Sequence, residues 1–143
     1  MAKTPITLRG FDVSMEWVGT GVGVQYTVVK ATSTEGCVDT ATAITDYPLG
    51  IMQNKCAAAV AGVQNAAATV RVSGWSYGVA GAAVSVLDRL KVDSTGRMIA
   101  GVKKTTFVAG ATFNYSIGIA LSAAASANDW FTVEICKGDT DWA

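Results

Sequence analysis

The 143-residue sequence contains no histidine. That absence removes the commonest general base, the commonest metal ligand and every Ser–His or Cys–His nucleophile pair. Charge is scarce as well: 11 basic and 11 acidic residues make up 15% of the chain and cancel to a formal net charge of zero. Neither nucleic acid nor an anionic membrane finds a complementary field here, so no partner of either kind is expected. Long hydrophobic runs are missing too. The mean hydropathy of +0.34 comes largely from Ala and Val, and the longest small-residue runs, residues 57–63 and 123–127, fall far short of a membrane span. The first residues, Met1, Ala2, Lys3, Thr4 and Pro5, lead into polar residues rather than an apolar stretch, so no secretion signal is expected. Cys37, Cys56 and Cys136 are odd in number and lack metal-site spacing, which fits reduced thiols in a cytosolic product. Asp12 with Glu16, and Asp139 with Asp141, lack a third ligand and read as solvated carboxylates. The Gly19, Gly21, Gly23 cluster is not followed by Lys-Ser/Thr, as a phosphate loop would be. No catalytic residue, cofactor or metal site emerges, and a non-enzymatic chain is expected.

What the sequence does contain is an echo. Tyr47, Leu49, Gly50 and Ile51 recur in phase as Tyr115, Ile117, Gly118 and Ile119. Each copy is followed by an Ala-rich stretch and then by a short alternating strand, Thr69-Val70-Arg71-Val72 in one case and Thr132-Val133-Glu134-Ile135 in the other. A repeat of this kind predicts two related β-units folded against each other. Between the echoes, Asp93-Ser94-Thr95-Gly96 has the chemistry of a hairpin turn joining residues 89–92 to 97–99. The Ala-rich stretches are short, uncapped and interrupted, so at most one short helix is expected, over residues 55–63. By period two, Tyr47, Leu49 and Ile51 share one strand face, as do Tyr115, Ile117 and Ile119. The predicted fold is all-β, a compact β-barrel or β-sandwich with an internal duplicated β-unit.

Residues 1–23 are patterned more thinly and read as an extended N-terminal arm, with the β-domain occupying residues 24–143. Ile6, Leu8, Phe11 and Val13 are the arm's β-competent apolar residues, and residues 4–9 have the alternating form suited to adding a strand to a partner's sheet edge. Trp17, Trp75, Tyr77 and Trp142 are further candidate contacts, because large aromatics carry interface energy; local packing within the subunit is the alternative for each. Trp130, next to Phe131 at a strand start, is expected in the core.

The stretch of residues 47–138 resembles a family of small capsid-decoration (cement) proteins of tailed bacteriophages. The likeness rests on three elements. These are the aliphatic-Gly-Ile strands (Leu49-Gly50-Ile51 and Ile117-Gly118-Ile119-Ala120), the Val-x-Val/Ile strands that follow, and the turn of residues 88–97, where Leu87 departs from the family's Gly. Together they cover about two-thirds of the chain; the first 23 residues lie outside the likeness. The resemblance implies a β-barrel or β-sandwich subunit, a homotrimer on the outer surface of the virion's capsid, the major capsid protein as partner, and a role in stabilising the expanded head. A phage tail or baseplate β-module is the alternative within structural roles. A carbohydrate-binding β-sandwich is the alternative from another class, with Trp75 and Tyr77 as its aromatic platform.

Overall fold

The computed structural model describes residues 9–101 and 114–140. Segments rich in Val, Ile, Thr and aromatics form strands, because branched side chains fit a pleated, half-buried surface. The strands are β1 (Gly10–Trp17), β2 (Val28–Ala31), β3 (Cys37–Thr40), β4 (Gly50–Met52), β5 (Ala67–Val79), β6 (Arg89–Val92), β7 (Met98–Ala100), β8 (Asn114–Ala120) and β9 (Trp130–Thr140). They make one sheet in the order β1-β3-β2-β4-β5-β9-β8-β6-β7, and β1 also pairs with β5. The first five strands therefore close on themselves. The fold is all-β, as expected, but it is neither a single barrel nor a pair of flat sheets.

The duplication is present strand for strand. Val28 pairs with Ile51 and Val29 with Gly50 in the first half; Arg89 pairs with Ile119 and Leu90 with Gly118 in the second. Val29 faces Thr40 across β2–β3, and Leu90 faces Ala100 across β6–β7. Met52 meets Val70 where Ala120 meets Val133. Even the isolated bridges repeat, Gly23 with Cys56 and Val84 with Ala124. The same alignment makes β1 the counterpart of the far end of β5: Val13 pairs with Val70 as Ser76 pairs with Val133. The parallel contact of Trp17 with Val38 likewise recurs as the parallel bridge of Ala80 with Met98. Strand β5 thus ends one repeat and begins the next.

Each half fills its own core. Trp17, Val29, Val38, Met52, Cys56, Ala68 and Val70 form the first. The second gathers Ala80, Leu90, Met98, Ile117, Phe131 and Val133, together with Val28, Ala41 and Ile51 from the outer face of the first half. Full burial of each aliphatic side chain contributes roughly 1.5–3 kcal/mol, and the shared residues bond the halves into one body.

Four expectations are corrected. Residues 10–17, assigned to a free arm, are strand β1, paired along its length with β5 and at its end with β3; the division at residue 23 falls inside the first repeat. Trp17, counted as a contact candidate, is 1% exposed and belongs to the first core. Residues 55–63 form no helix; they run as a loop held by the Gly23–Cys56 bridge. Finally, the period-two phase breaks at the echoed glycines. Leu49 and Met52 face the first core while Ile51 faces the second, and in the echo Ile117 and Ala120 point inward past a register shift between Ser116 and Gly118. The cause is close approach: a Cβ at Gly50 would strike the Arg71 carbonyl, and one at Gly118 the Glu134 carbonyl, which are equivalent positions on β5 and β9.

Candidate interaction surface

The sequence candidates separate into three groups. Ile6, Leu8 and Trp142 lie outside the described residues. Trp17 is inside the body, its Nε1–H donating to the Gly21 carbonyl at 3.2 Å, and Val13 packs half-buried against the first core. Phe11, Trp75 and Tyr77 are exposed, at 64%, 41% and 36%.

Trp75 and Tyr77 lie two apart on β5 and so share a face. Local structure fixes Trp75: its N–H donates to the Arg9 carbonyl at 2.7 Å, and its carbonyl accepts from Arg71 Nη1 at 2.9 Å. Arg71 also grips Asp12 in a two-pronged pair, Nε to Oδ1 at 2.7 Å and Nη2 to Oδ2 at 2.9 Å. The Arg71 hydrogen bond holds the Asp12 carboxyl below its ordinary value, and Asp12 in turn raises the Arg71 guanidinium. This pair clamps β1 onto β5 beside Phe11, where their register shifts.

Tyr77 has partners that sequence reasoning did not give it. Tyr26 stands edge-on to Tyr77 with ring centroids 5.5 Å apart, and edge-on to Trp130 at 4.9 Å. Trp130, expected in the core, is 60% exposed, because strand alternation turns Phe131 inward instead. Tyr26 is held at φ 66°, a backbone state costly for a side chain with a Cβ, and its N–H donates to the Met52 carbonyl at 2.7 Å. The only sequence signal for this cluster was three aromatics at strand ends, Tyr26 before β2, Tyr77 near the end of β5 and Trp130 at the start of β9; their meeting depends on how the halves pack. Beside it lies a recess of about 300 Å³ lined by Val24, Thr27, Val79, Thr95, Arg97 and Asn128. Arg97 is fixed there by Asp93 at 2.9 Å and by Asn128 at 3.2 Å. Burial works against the Asp93 carboxylate, but hydrogen bonds from Thr95 and Arg97 outweigh it and hold the group below its ordinary value. The two echoed tyrosines also meet, Tyr47 edge-on to Tyr115 at 5.2 Å.

Reactive chemistry is sparse on this surface. Burial pushes the Cys37, Cys56 and Cys136 thiols above their ordinary value, so none is a ready thiolate at neutral pH. Among the described residues no three His, Cys, Asp or Glu side chains gather as a metal site, and no helix is long and apolar enough to cross a membrane. The surface offers aromatic area ringed by fixed ion pairs, which suits protein contact.

No known protein-family profile matches the chain, and no curated protein sequence does. Among solved structures, the chain is similar to the head fiber gp8.5 N base of bacteriophage phi29, with a TM-score of 0.65 and 14% identity, over 88% of this chain and 95% of that one. At that identity the likeness establishes a common fold, spanning both repeats.

Proposed function

We propose that this chain is a structural, non-enzymatic protein of a bacteriophage head. In this reading it is a capsid-decoration protein that sits as a homotrimer on the outer surface of the virion, binds the major capsid protein and stabilises the expanded shell. The observation that carries the reading is the near end-to-end likeness to the base of a phage head fiber. The decoration-family motifs support it, since the aliphatic-Gly-Ile strands occupy matching places in the two repeats and Asp93 to Gly96 form the turn the likeness calls for. Such a role needs a rigid body and an adhesive edge rather than chemistry. The chain supplies the body through its fused cores, and the exposed aromatics Phe11 and Trp75 supply the edge, with the N-terminal residues before them assigned to the same contact. Many weak contacts of this kind, repeated around a closed shell, add up through multivalency.

The test is to image particles assembled with and without the protein and to measure their resistance to heating. Extra density on the outer capsid surface, with three-fold symmetry, and a higher rupture temperature are expected. Density confined to a tail or baseplate, or none on the particle, would rule the reading out.

A further inference from the structure

The two halves of the chain join through unlike surfaces. The first half presents Tyr26, Thr27 and Val28, and the second half receives them. Val79 N–H donates to the Tyr26 carbonyl at 3.1 Å, Val28 N–H donates to the Gly96 carbonyl at 2.8 Å, and the Tyr26 ring lies between Tyr77 and Trp130. Because the chain is a repeat, each of these surfaces has a counterpart in the other half.

The counterpart of the presented segment is Leu87, Asp88 and Arg89. Leu87 is held at φ 70°, as Tyr26 is at 66°. Leu87 N–H donates to the Ala120 carbonyl at 2.8 Å where Tyr26 N–H donates to that of Met52 at 2.7 Å. Ala120 N–H donates to the Asp88 carbonyl where Met52 N–H donates to that of Thr27, both at 2.9 Å. The local structure is the same, yet Tyr26 is packed whereas Leu87 is 74% exposed and its neighbour Val86 54%. Those hydrogen bonds hold the strained backbone, but they leave its apolar side chain out in water.

The counterpart of the receiving surface is on the first half. Val79, Tyr77, Trp130 and Gly96 align with Glu16, Ser14, Ala67 and Gly36, and these four line an open recess of about 320 Å³. We propose that the two unmatched surfaces meet between molecules. The loop of residues 86–89 of one copy docks into the first-half recess of a second copy, so that the junction inside the chain is repeated across a subunit boundary. The occupant is fixed as a second copy of this chain because the same contact is already made within it. In the free chain the recess is zipped by Glu16 N–H donating to the Gly36 carbonyl at 2.8 Å. Docking exchanges that bond for two, Glu16 N–H to the incoming Leu87 carbonyl and the incoming Arg89 N–H to Gly36, and it buries Leu87. A contact between unlike surfaces is heterologous and closes into a ring when the rotation permits. It would supply the trimer contact of the capsid reading, but it does not depend on that reading.

The test uses the full chain in a Cys136→Ser background. Leu87→Cys combined with Ala67→Cys places thiols at the positions equivalent to Tyr26 and Trp130. On mild oxidation the double variant is expected to form covalent species larger than dimers, while either single variant stops at dimers. Leu87→Asp is expected to shift sedimenting wild-type oligomers to monomers with circular dichroism and melting unchanged. A wild-type chain that sediments as a monomer at every attainable concentration overturns the proposal. So does an oligomer that ignores Leu87→Asp and resists the paired cysteines. Self-association without binding to expanded capsids would sink the capsid reading and leave this contact standing.

Discussion

In the first half the ring is closed by its own strand, β1, which reaches β3 through two parallel pairs, Glu16 with Cys37 and Trp17 with Val38. In the second half the same place is taken by the far end of β5, which reaches β7 by the single bridge of Ala80 with Met98. The gap left there admits a segment of the first half. The fillings differ in a complementary way. The first core has Trp17 where the second has Ala80, and Ala68 where the second has Phe131. One large ring fills each core, delivered from a different strand. Interiors are packed to a fixed density, so a repeat can keep its register while exchanging which position carries the bulk.

The sharpest break in this comparison comes from truncation. Removal of residues 1–8 leaves β1 intact and is expected to leave the folded body and its melting unchanged, while weakening binding to expanded capsids more than tenfold, about 1.4 kcal/mol. Removal of residues 1–23 takes away β1 and Trp17 and is expected to abolish cooperative unfolding. If the longer truncation still melted cooperatively, β1 would be dispensable and the first ring would not depend on it.

Trp17→Ala and Phe131→Ala should each cost about 3–5 kcal/mol in denaturant melts, and by similar amounts if the two rings play one role. A cost at one site alone would mean that only one half limits stability. Gly50→Ala and Gly118→Ala come next, at about 1–3 kcal/mol each, because the new methyl must displace a neighbouring carbonyl. Matching penalties would support the equivalence of the two kinks.

The smallest effect is that of Asp12→Asn, within about 1 kcal/mol, since the Asp12–Arg71 pair is partly exposed. Arg71 lowers the Asp12 carboxyl in the folded state from its ordinary value of 3.8. Its contribution is therefore fully present above that value and is lost as pH falls through the lower folded value. Wild type and variant should converge in melting temperature at acid pH and separate above it. A gap that persisted at low pH would assign the effect to packing rather than charge.

Much of the second half was legible in the sequence. Asp93 accepts from Thr95 N–H at 2.8 Å and from Arg97 N–H at 3.0 Å, which is the turn its Asp and Gly spelled out. The echoed glycines do occupy equivalent strands, Gly50 in β4 and Gly118 in β8, whereas Tyr115 lies within β8 and Tyr47 in the loop before β4. The reach of the repeat was not legible, because β1 and the end of β5 share a register but almost no residue types; Trp17 against Ala80 has no sequence signature. The kinks at Gly50 and Gly118 were hidden for a different reason. They arise from the carbonyl of a neighbouring strand, a contact no local period reports. Among the candidate contacts, Tyr77 was readable as an exposed aromatic, but its cluster with Tyr26 and Trp130 was not, since it forms only when one half lies on the other.

Strand β5 runs without interruption from Ala67 to Val79, laddered to β1 and β4 at one end and to β9 at the other. Its hydrogen bonds lie across the strand direction. A pull along β5 therefore loads all of them in shear at once, whereas a linker between two domains would stretch first and pass little force on. Two halves riveted to one such rod have no separate linker between them, and tension applied to either half reaches the other with no slack to take up.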